Sequence, residues 1–429
     1  MRILLLCHGL PPDSVGGVAQ HVDGLARALV RQGHDVELYA REGTPGPAQG
    51  TVRLAADGNP RTTRVAYRWE GVTDLAAMYT AAPMAAALRD FLAARRAAGV
   101  TFDVAHVHHL TGMSVDSLDE LAAAGVPTVL TVHDYWLFCP RGQMFRVDEE
   151  ACTTASSERC TECLARTFPW WVDTATGPAK VAALHDRARR ALALPQRLVV
   201  PSPRALPPFL ALGVPAERFT VVENVVYVDG LLDLPDAPAG PGPLRVGYFG
   251  TVMPSKGLHV LIAAVARLPQ GAVRLAIHGN VVPYHGDASY ATRCFQGLRP
   301  TDDVHYHGPY GLGGLRDRLA DVDVVAAPAL WHEAFGLTVR EALAAGRPVL
   351  VSRIGGLQDA VDDGEQGLVL PPGDVGAWAD ALARLAADRR EVRRLGRTAR
   401  QRARGFDPMA RDLLAVFADA CRTGTARQP

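Results

Sequence analysis

At 429 residues the chain exceeds what a single hydrophobic core usually organises, so two domains are expected. Its 48% hydrophobic and 21% charged residues exclude disordered, collagen-like and membrane-embedded classes, and 45 basic against 45 acidic residues give no cationic excess to suit nucleic acid. No uncharged apolar run approaches the roughly 18 residues of a membrane span.

The first apolar run, Arg2 to Cys7, is shorter than a signal-peptide core and reads as a buried strand. Further strands are expected at Val36 to Tyr39, Val104 to Val107, Thr128 to Val132, Arg197 to Val200 and Thr220 to Val222, with a helix over Val18 to Arg31. Val228 to Pro243 carries Pro235, Pro238, Pro241 and Pro243 with three glycines and reads as a linker. The alternation then resumes with strands at Leu244 to Phe249, Val273 to Ile277, Val304 to Tyr306, Val322 to Ala326, Pro348 to Val351 and Gly367 to Leu370. Helices fall at Leu258 to Leu268, Thr338 to Ala345 and Val375 to Ala387. The fold class is therefore α/β, with two Rossmann-like, doubly wound domains and a ligand cleft expected between the carboxyl edges of their sheets.

Several residues in this frame suit an anionic ligand. Gly16 and Gly17 open the first helix, where small residues admit an anion to backbone amides, or simply form a turn. Lys256 follows the first strand of the second half and is, with Lys180, one of only two lysines, so a cation there suits a leaving diphosphate, or is simply a surface lysine. Glu333 and Glu341 are separated by seven residues across Ala334, Phe335, Gly336 and Leu337, which leads into a helix. Two carboxylates near one helix face would result, Glu333 at its start and Glu341 placed to accept from ribose hydroxyls; the competing reading is two solvated helix glutamates. His133 ends the strand Thr128 to Val132, where an imidazole can donate to a sugar hydroxyl, serve as a base or play a purely structural part. Asp321 and Asp323 form an Asp-x-Asp that precedes a strand and reads as helix-end and strand-start polarity, so no donor metal is expected.

Taken in order, these pieces resemble glycosyltransferase family 4: GGVAQH near the amino terminus, TVHD around His133, SKG around Lys256, IHG at Gly279, EAFGLTVRE, Gly355-Gly356, and the closing GFDPMA. The resemblance implies a GT-B fold and a retaining, donor-metal-independent transfer of a sugar from a nucleoside diphosphate. It implies an acceptor-side domain at 1–227, a linker at 228–243, a nucleotide-sugar-binding domain at 244–405, and a closing helix at 406–429 that packs back on the first domain. By position, Glu341 would hold the ribose; Glu333 and the amides of Ala334, Phe335, Gly336 and Leu337 would meet donor sugar and diphosphate. Lys256 would bind the diphosphate, His133 the donor sugar near its reacting centre, and Gly16, Gly17 and Gly279 would line the donor site. The catalytic set is then His133, Lys256 and Glu333, with the leaving diphosphate helping to deprotonate the acceptor. Where the family commonly has an arginine, this chain has Thr251, and Arg353 or Arg141 is a candidate replacement. Asn224 keeps its place in Glu223-Asn224-Val225, a departure from the usual Pro-Asn-Gly.

After the HDYW motif, residues 134–176 depart from the alternation and carry Cys139, Cys152, Cys160 and Cys163. Four thiolates including a Cys-x2-Cys pair fit a structural zinc, with free thiols or oxidised pairs as alternatives. Seven cysteines in a chain without a leader point to a reducing, cytoplasmic compartment. Arg141, Arg146, Trp170 and Trp171 in this insertion are candidate contacts for a carbohydrate, lipid-linked or small-molecule acceptor, or else pack the insertion. The arginine-rich run from Arg389 to Arg404 suits either a solvated helix face or peripheral contact with anionic lipid on the inner membrane face. The competing readings are a sugar-nucleotide epimerase of the same fold and a metal-stabilised binding protein without catalysis.

Overall fold

The computed structural model describes the chain apart from residues 15, 44–47, 238–240, 297, 299–302 and 426–429. Pro238 of the expected linker and the last four residues of the expected closing helix lie outside the described residues. The chain divides into two compact units, one comprising 1–142, 153–224 and 406–429, the other 143–152 and 225–405.

The first unit is built on an eight-stranded sheet of β1 (Arg2–Cys7), β2 (Asp35–Glu42), β3 (Val52–Asp57), β4 (Arg61–Ala66), β5 (Val104–Val107), β6 (Thr128–Thr131), β7 (Arg197–Val200) and β8 (Phe219–Val221). Their order is β3-β4-β2-β1-β5-β6-β7-β8, parallel except for β3. Ile3 to Cys7 are fully buried, as a central strand covered on both faces must be. The helix Gly17–Arg31 lays Ala19, Val22, Leu25, Ala26 and Leu29 into the core, a helical spacing of apolar residues. The last helix, Phe406–Thr425, also belongs to this unit: Arg31 pairs with Asp407 at 2.6 Å and the Phe406 ring covers Gly24.

The second unit holds a six-stranded parallel sheet of β9 (Leu244–Phe249), β10 (Val273–His278), β11 (Val304–Gly308), β12 (Val324–Ala327), β13 (Val349–Ser352) and β14 (Gly367–Leu370). The order β11-β10-β9-β12-β13-β14 reverses direction between β9 and β12, where doubly wound sheets bind ligands at the strands' carboxyl ends. Its core gathers Leu244, Val246, Leu261, Leu275, Ile277, Val324, Leu350 and the fully buried Trp378.

Asp323 is fully buried and accepts from the Arg245 amide at 2.8 Å, from the Arg245 guanidinium at 2.9 Å and from Arg389 at 2.6 Å. It ties β9 to β12, a structural role for Asp323. The arginine-rich run is largely engaged inside the unit: Arg394 bonds Glu391 and the Gly364 carbonyl, Arg400 the Leu234 carbonyl, and Arg402 the Asp359 carbonyl. Among the described residues no helix is long and apolar enough to cross a membrane.

Two expectations need correction. The insertion 134–176 is not one body, because 143–152 belongs with the second unit, held there by Tyr284 donating to Gln143 at 3.0 Å and by Arg293 pairing with Glu149 at 2.6 Å. The first unit ends at Asn224 rather than at residue 227, so the linker region groups with the second unit.

Candidate functional site

In the second unit the expected donor residues gather on the loops that leave β9, β10, β12 and β13. After β9 the chain passes Gly250 and Thr251 into the short turn Pro254–Lys256, which presents Lys256. Gly257 follows with φ of 68°, and a Cβ there would overlap the Pro328 carbonyl, so only glycine permits this close approach. Gly279, at the end of β10, packs its Cα so tightly on the Gly250 carbonyl that no side chain fits.

Lys256 Nζ donates to both carboxylate oxygens of Glu333, at 2.7 and 2.9 Å, and lies 5.3 Å from the Trp331 ring centre. The Glu333 backbone is clamped in turn: the Gly356 amide donates to its carbonyl at 2.6 Å, and Gly355, with φ of 54°, lies against its amide. Gly355-Gly356 thus positions Glu333. Gly336 adopts φ of 83° and ψ of 70° and starts the helix Leu337–Ala344 without a side-chain cap. The opening amides of that helix therefore present partial positive charge next to Phe335 and Gly336, an arrangement that receives anions.

One expectation is overturned here. Glu333 does not sit at the start of the helix that carries Glu341, because the left-handed turn at Gly336 delays the helix to Leu337. Instead of sharing a helix face, Glu333 lies in the preceding loop, locked to Lys256, and only Glu341 is helical. Glu341 is half-buried as a residue, yet its carboxyl is withdrawn from water and burial pushes its pKa up to about 7. Arg353, a candidate replacement for the arginine absent at Thr251, donates from Nη2 to the Val369 carbonyl at 3.0 Å.

In the first unit, β1, β5 and β6 end side by side, and six imidazoles lie at or near these ends: His8, His21, His106, His108, His109 and His133. His133 Nε2 lies 3.1 Å from His108 Nδ1, and its Nδ1 lies 3.3 Å from the Asn224 side-chain amide. Asn224 is thereby brought to His133. Burial holds both His133 and His108 well below the ordinary imidazole pKa, so both rings are neutral. Sequence reading missed the other five histidines as a group; the signal was available, since His8 and His108 each follow a strand directly and His109 comes next. Gly16 caps the first helix in extended backbone (φ of −67°) with open space around it, so the turn does not itself require glycine.

The acceptor candidates are dispersed. Arg141 is buried, with Nη1 donating to Thr167 Oγ1 at 2.8 Å, and braces the insertion. Arg146, in the segment belonging to the second unit, pairs with Asp148 at 2.9 Å. Trp170 is 66% exposed, and Trp171 stacks on Phe168. Trp171 also lines a cavity of about 370 Å³ with Asp74, Tyr79, Lys180, Arg187 and Arg190. No disulfide joins the cysteines among the described residues.

A sequence profile described as Glycosyltransferase Family 4 matches residues 15–229, and one described as Glycosyl transferases group 1 matches residues 243–388. The chain is 31% identical to a D-inositol 3-phosphate glycosyltransferase of Xylanimonas cellulosilytica across 99% of this chain and 98% of that one. It is 29% identical to the enzyme of the same name from Corynebacterium efficiens, across 94% and 91%. Among solved structures it is similar to sucrose-phosphate synthase from Thermosynechococcus elongatus, with a TM-score of 0.70, 20% identity, and coverage of 98% of this chain and 99% of that one. Anabaena HepE in complex with UDP-glucose is similar too, with a TM-score of 0.65, 17% identity, and coverage of 97% and 99%. Both units thus carry the GT-B type of fold, and the chain belongs to glycosyltransferase family 4.

Proposed function

We propose that this glycosyltransferase transfers a hexosyl group from a nucleoside diphosphate sugar with retention of anomeric configuration and without a donor-bound metal. The observation that carries the reading is the second unit's donor set: Lys256 on Glu333, beside the uncapped helix start at Gly336, with Glu341 four residues into the helix that follows. Lys256 and the helix amides neutralise the diphosphate as the bond from the anomeric carbon to its oxygen breaks. Glu341 accepts from the ribose hydroxyls, and Glu333 meets the donor sugar. His133, neutral and positioned by Asn224 and His108, hydrogen-bonds a sugar hydroxyl. The departing diphosphate oxygen takes the proton of the acceptor hydroxyl, so no further carboxylate is needed as a base.

Support for the donor class comes from the UDP-glucose complex of HepE, and the relatives' name makes D-inositol 3-phosphate the first acceptor to try. The test is a panel of nucleoside diphosphate hexoses with and without that acceptor, with product anomers assigned by NMR. Retained configuration is the expected result. Turnover of donor alone to an epimer would replace this reading, and failure of every nucleotide sugar to bind would end it.

The reading includes a cytoplasmic enzyme, with any membrane contact peripheral. It also includes a structural zinc ion on Cys139, Cys152, Cys160 and Cys163. Two facts support the zinc: the helix Ser157–Thr167 carries both cysteines of the Cys-x2-Cys pair, and Cys139 and Cys160 both act electrostatically on the buried Tyr79 hydroxyl. Elemental analysis of protein purified without chelator should find zinc; its absence would remove this part.

A further inference from the structure

The Lys256 ammonium is held by more than Glu333. Of its three N–H donors Glu333 takes two, at 2.7 and 2.9 Å, while the nitrogen also stands over the Trp331 ring, 5.3 Å from its centre. The backbone brings ring and ammonium together. Gly257 lets the turn Pro254–Lys256 press on the Pro328 carbonyl, which any Cβ would overlap. The Leu330 amide then donates to the Ser255 carbonyl at 2.8 Å, and the Glu333 amide to the Trp331 carbonyl at 2.7 Å. Trp331 thus lies on the stretch that joins the lysine turn to Glu333.

Trp331 is only 6% exposed, yet its indole N–H has no hydrogen-bond partner among the described residues. A buried tryptophan ordinarily finds one, and phenylalanine would fill much of the same space without leaving a donor unmet. What indole offers beyond phenyl here is its ring face, the aromatic surface that attracts a cation most strongly.

We propose that Trp331 is a positioning residue for Lys256, its ring face holding the ammonium ready for the diphosphate. This role rests on the donor reading, in which Lys256 binds that diphosphate. A carboxylate restrains a lysine by occupying its N–H groups and offsetting its charge, both of which the diphosphate needs. An aromatic face restrains it through the ring quadrupole and takes neither. Trp331 therefore keeps the ammonium in place with one N–H unspent, and goes on holding it as Glu333 turns to the donor sugar.

With only Lys180 and Lys256 as lysines, isotope labelling of lysine side chains in the full-length protein gives two NMR signals, and Lys256→Met identifies the second. Ring current from Trp331 should place the Lys256 signal upfield of its position in Trp331→Leu, and the displacement should persist when UDP is added. That response to UDP is read on the unaltered chain, so it does not depend on how the variants fold. By calorimetry with UDP, GDP and ADP, Trp331→Leu should weaken nucleoside diphosphate binding about threefold to thirtyfold, and Trp331→Phe by less. In a Lys256→Met background Trp331→Leu should cost nothing further. A displacement that vanishes on UDP binding, or an equal loss from Trp331→Leu in both backgrounds, overturns the proposal: Trp331 is then packing alone, and the donor reading stands. If Lys256→Met binds all three nucleotides as tightly as the parent, the donor role of Lys256 falls and the role of Trp331 with it.

Discussion

Lys256 and Glu333, 77 residues apart in the chain, form an ion pair in which one ammonium serves both carboxylate oxygens, at 2.7 and 2.9 Å. A diphosphate arriving at Lys256 must share that ammonium with Glu333, so the two side chains have separable effects. Lys256→Met removes a charge-assisted contact of about 1.5–3 kcal/mol, and nucleoside diphosphate binding should weaken about tenfold to a hundredfold. Glu333→Gln leaves the ammonium in place; diphosphate affinity should stay within about threefold while the transfer rate falls further. Calorimetry and initial rates separate the two. Equal losses in both quantities for both variants would mean that the pair is only a brace.

Glu341 ties nucleotide binding to pH. Its folded pKa of about 7 stands above the ordinary 4.5, so between these values the folded chain holds a proton that the unfolded chain has released. Its contribution to stability is therefore full below about pH 4.5 and lost as pH rises through 7. Glu341→Gln should remove that loss, gaining stability relative to the parent across the same window in melts taken at several pH values. Ribose hydroxyls donating to Glu341 favour its ionised form, so nucleotide binding should tighten as pH passes 7 and release a proton. Calorimetry in buffers of different ionisation enthalpy checks this, and a pH-independent affinity would rule out the ribose contact.

The outline of the fold was legible in sequence because central parallel strands are continuous apolar runs: β1, β5, β7, β9 and β14 begin and end where expected. The hairpin of β3 and β4 was not, because every residue of β3 is exposed and its sequence carries no alternation to read. At the site, Lys256 was found through its rarity and its place after β9. Glu333 was misplaced because helical spacing was counted through Gly336, whose left-handed backbone interrupts the helix. The histidine cluster escaped notice because its members come from separate strands and one helix, and only the pairing of β1, β5 and β6 assembles them.

Trp171 supplies the test of the acceptor side. It joins a cavity whose lining mixes Lys180, Arg187 and Arg190 with Asp74 and Asp186. Trp171→Ala should raise the acceptor KM by about twofold to tenfold, in line with about 0.5–1.5 kcal/mol for an aromatic contact, and leave nucleoside diphosphate affinity unchanged. Steady-state kinetics at saturating donor measure the first quantity and calorimetry the second. An unchanged acceptor KM would confine Trp171 to packing against Phe168.

The last helix depends on the absence of a side chain at Gly24. A Cβ there would overlap three ring carbons of Phe406, the residue that opens the helix Phe406–Thr425. Gly24→Ala gains up to about 1 kcal/mol of helix propensity, but overpacking at a filled contact costs about 1–3 kcal/mol, so net destabilisation is expected. The loss should be local at first, since Arg31 and Gln32 grip Asp407 on the same helix face. Hydrogen exchange should accelerate through 406–425 before the rest of the first unit, and Phe406→Leu in the Gly24→Ala background should restore part of the protection by vacating the space. If Gly24→Ala instead raised the melting temperature, the helix gain would outweigh the overlap, and the ring would be free to move aside.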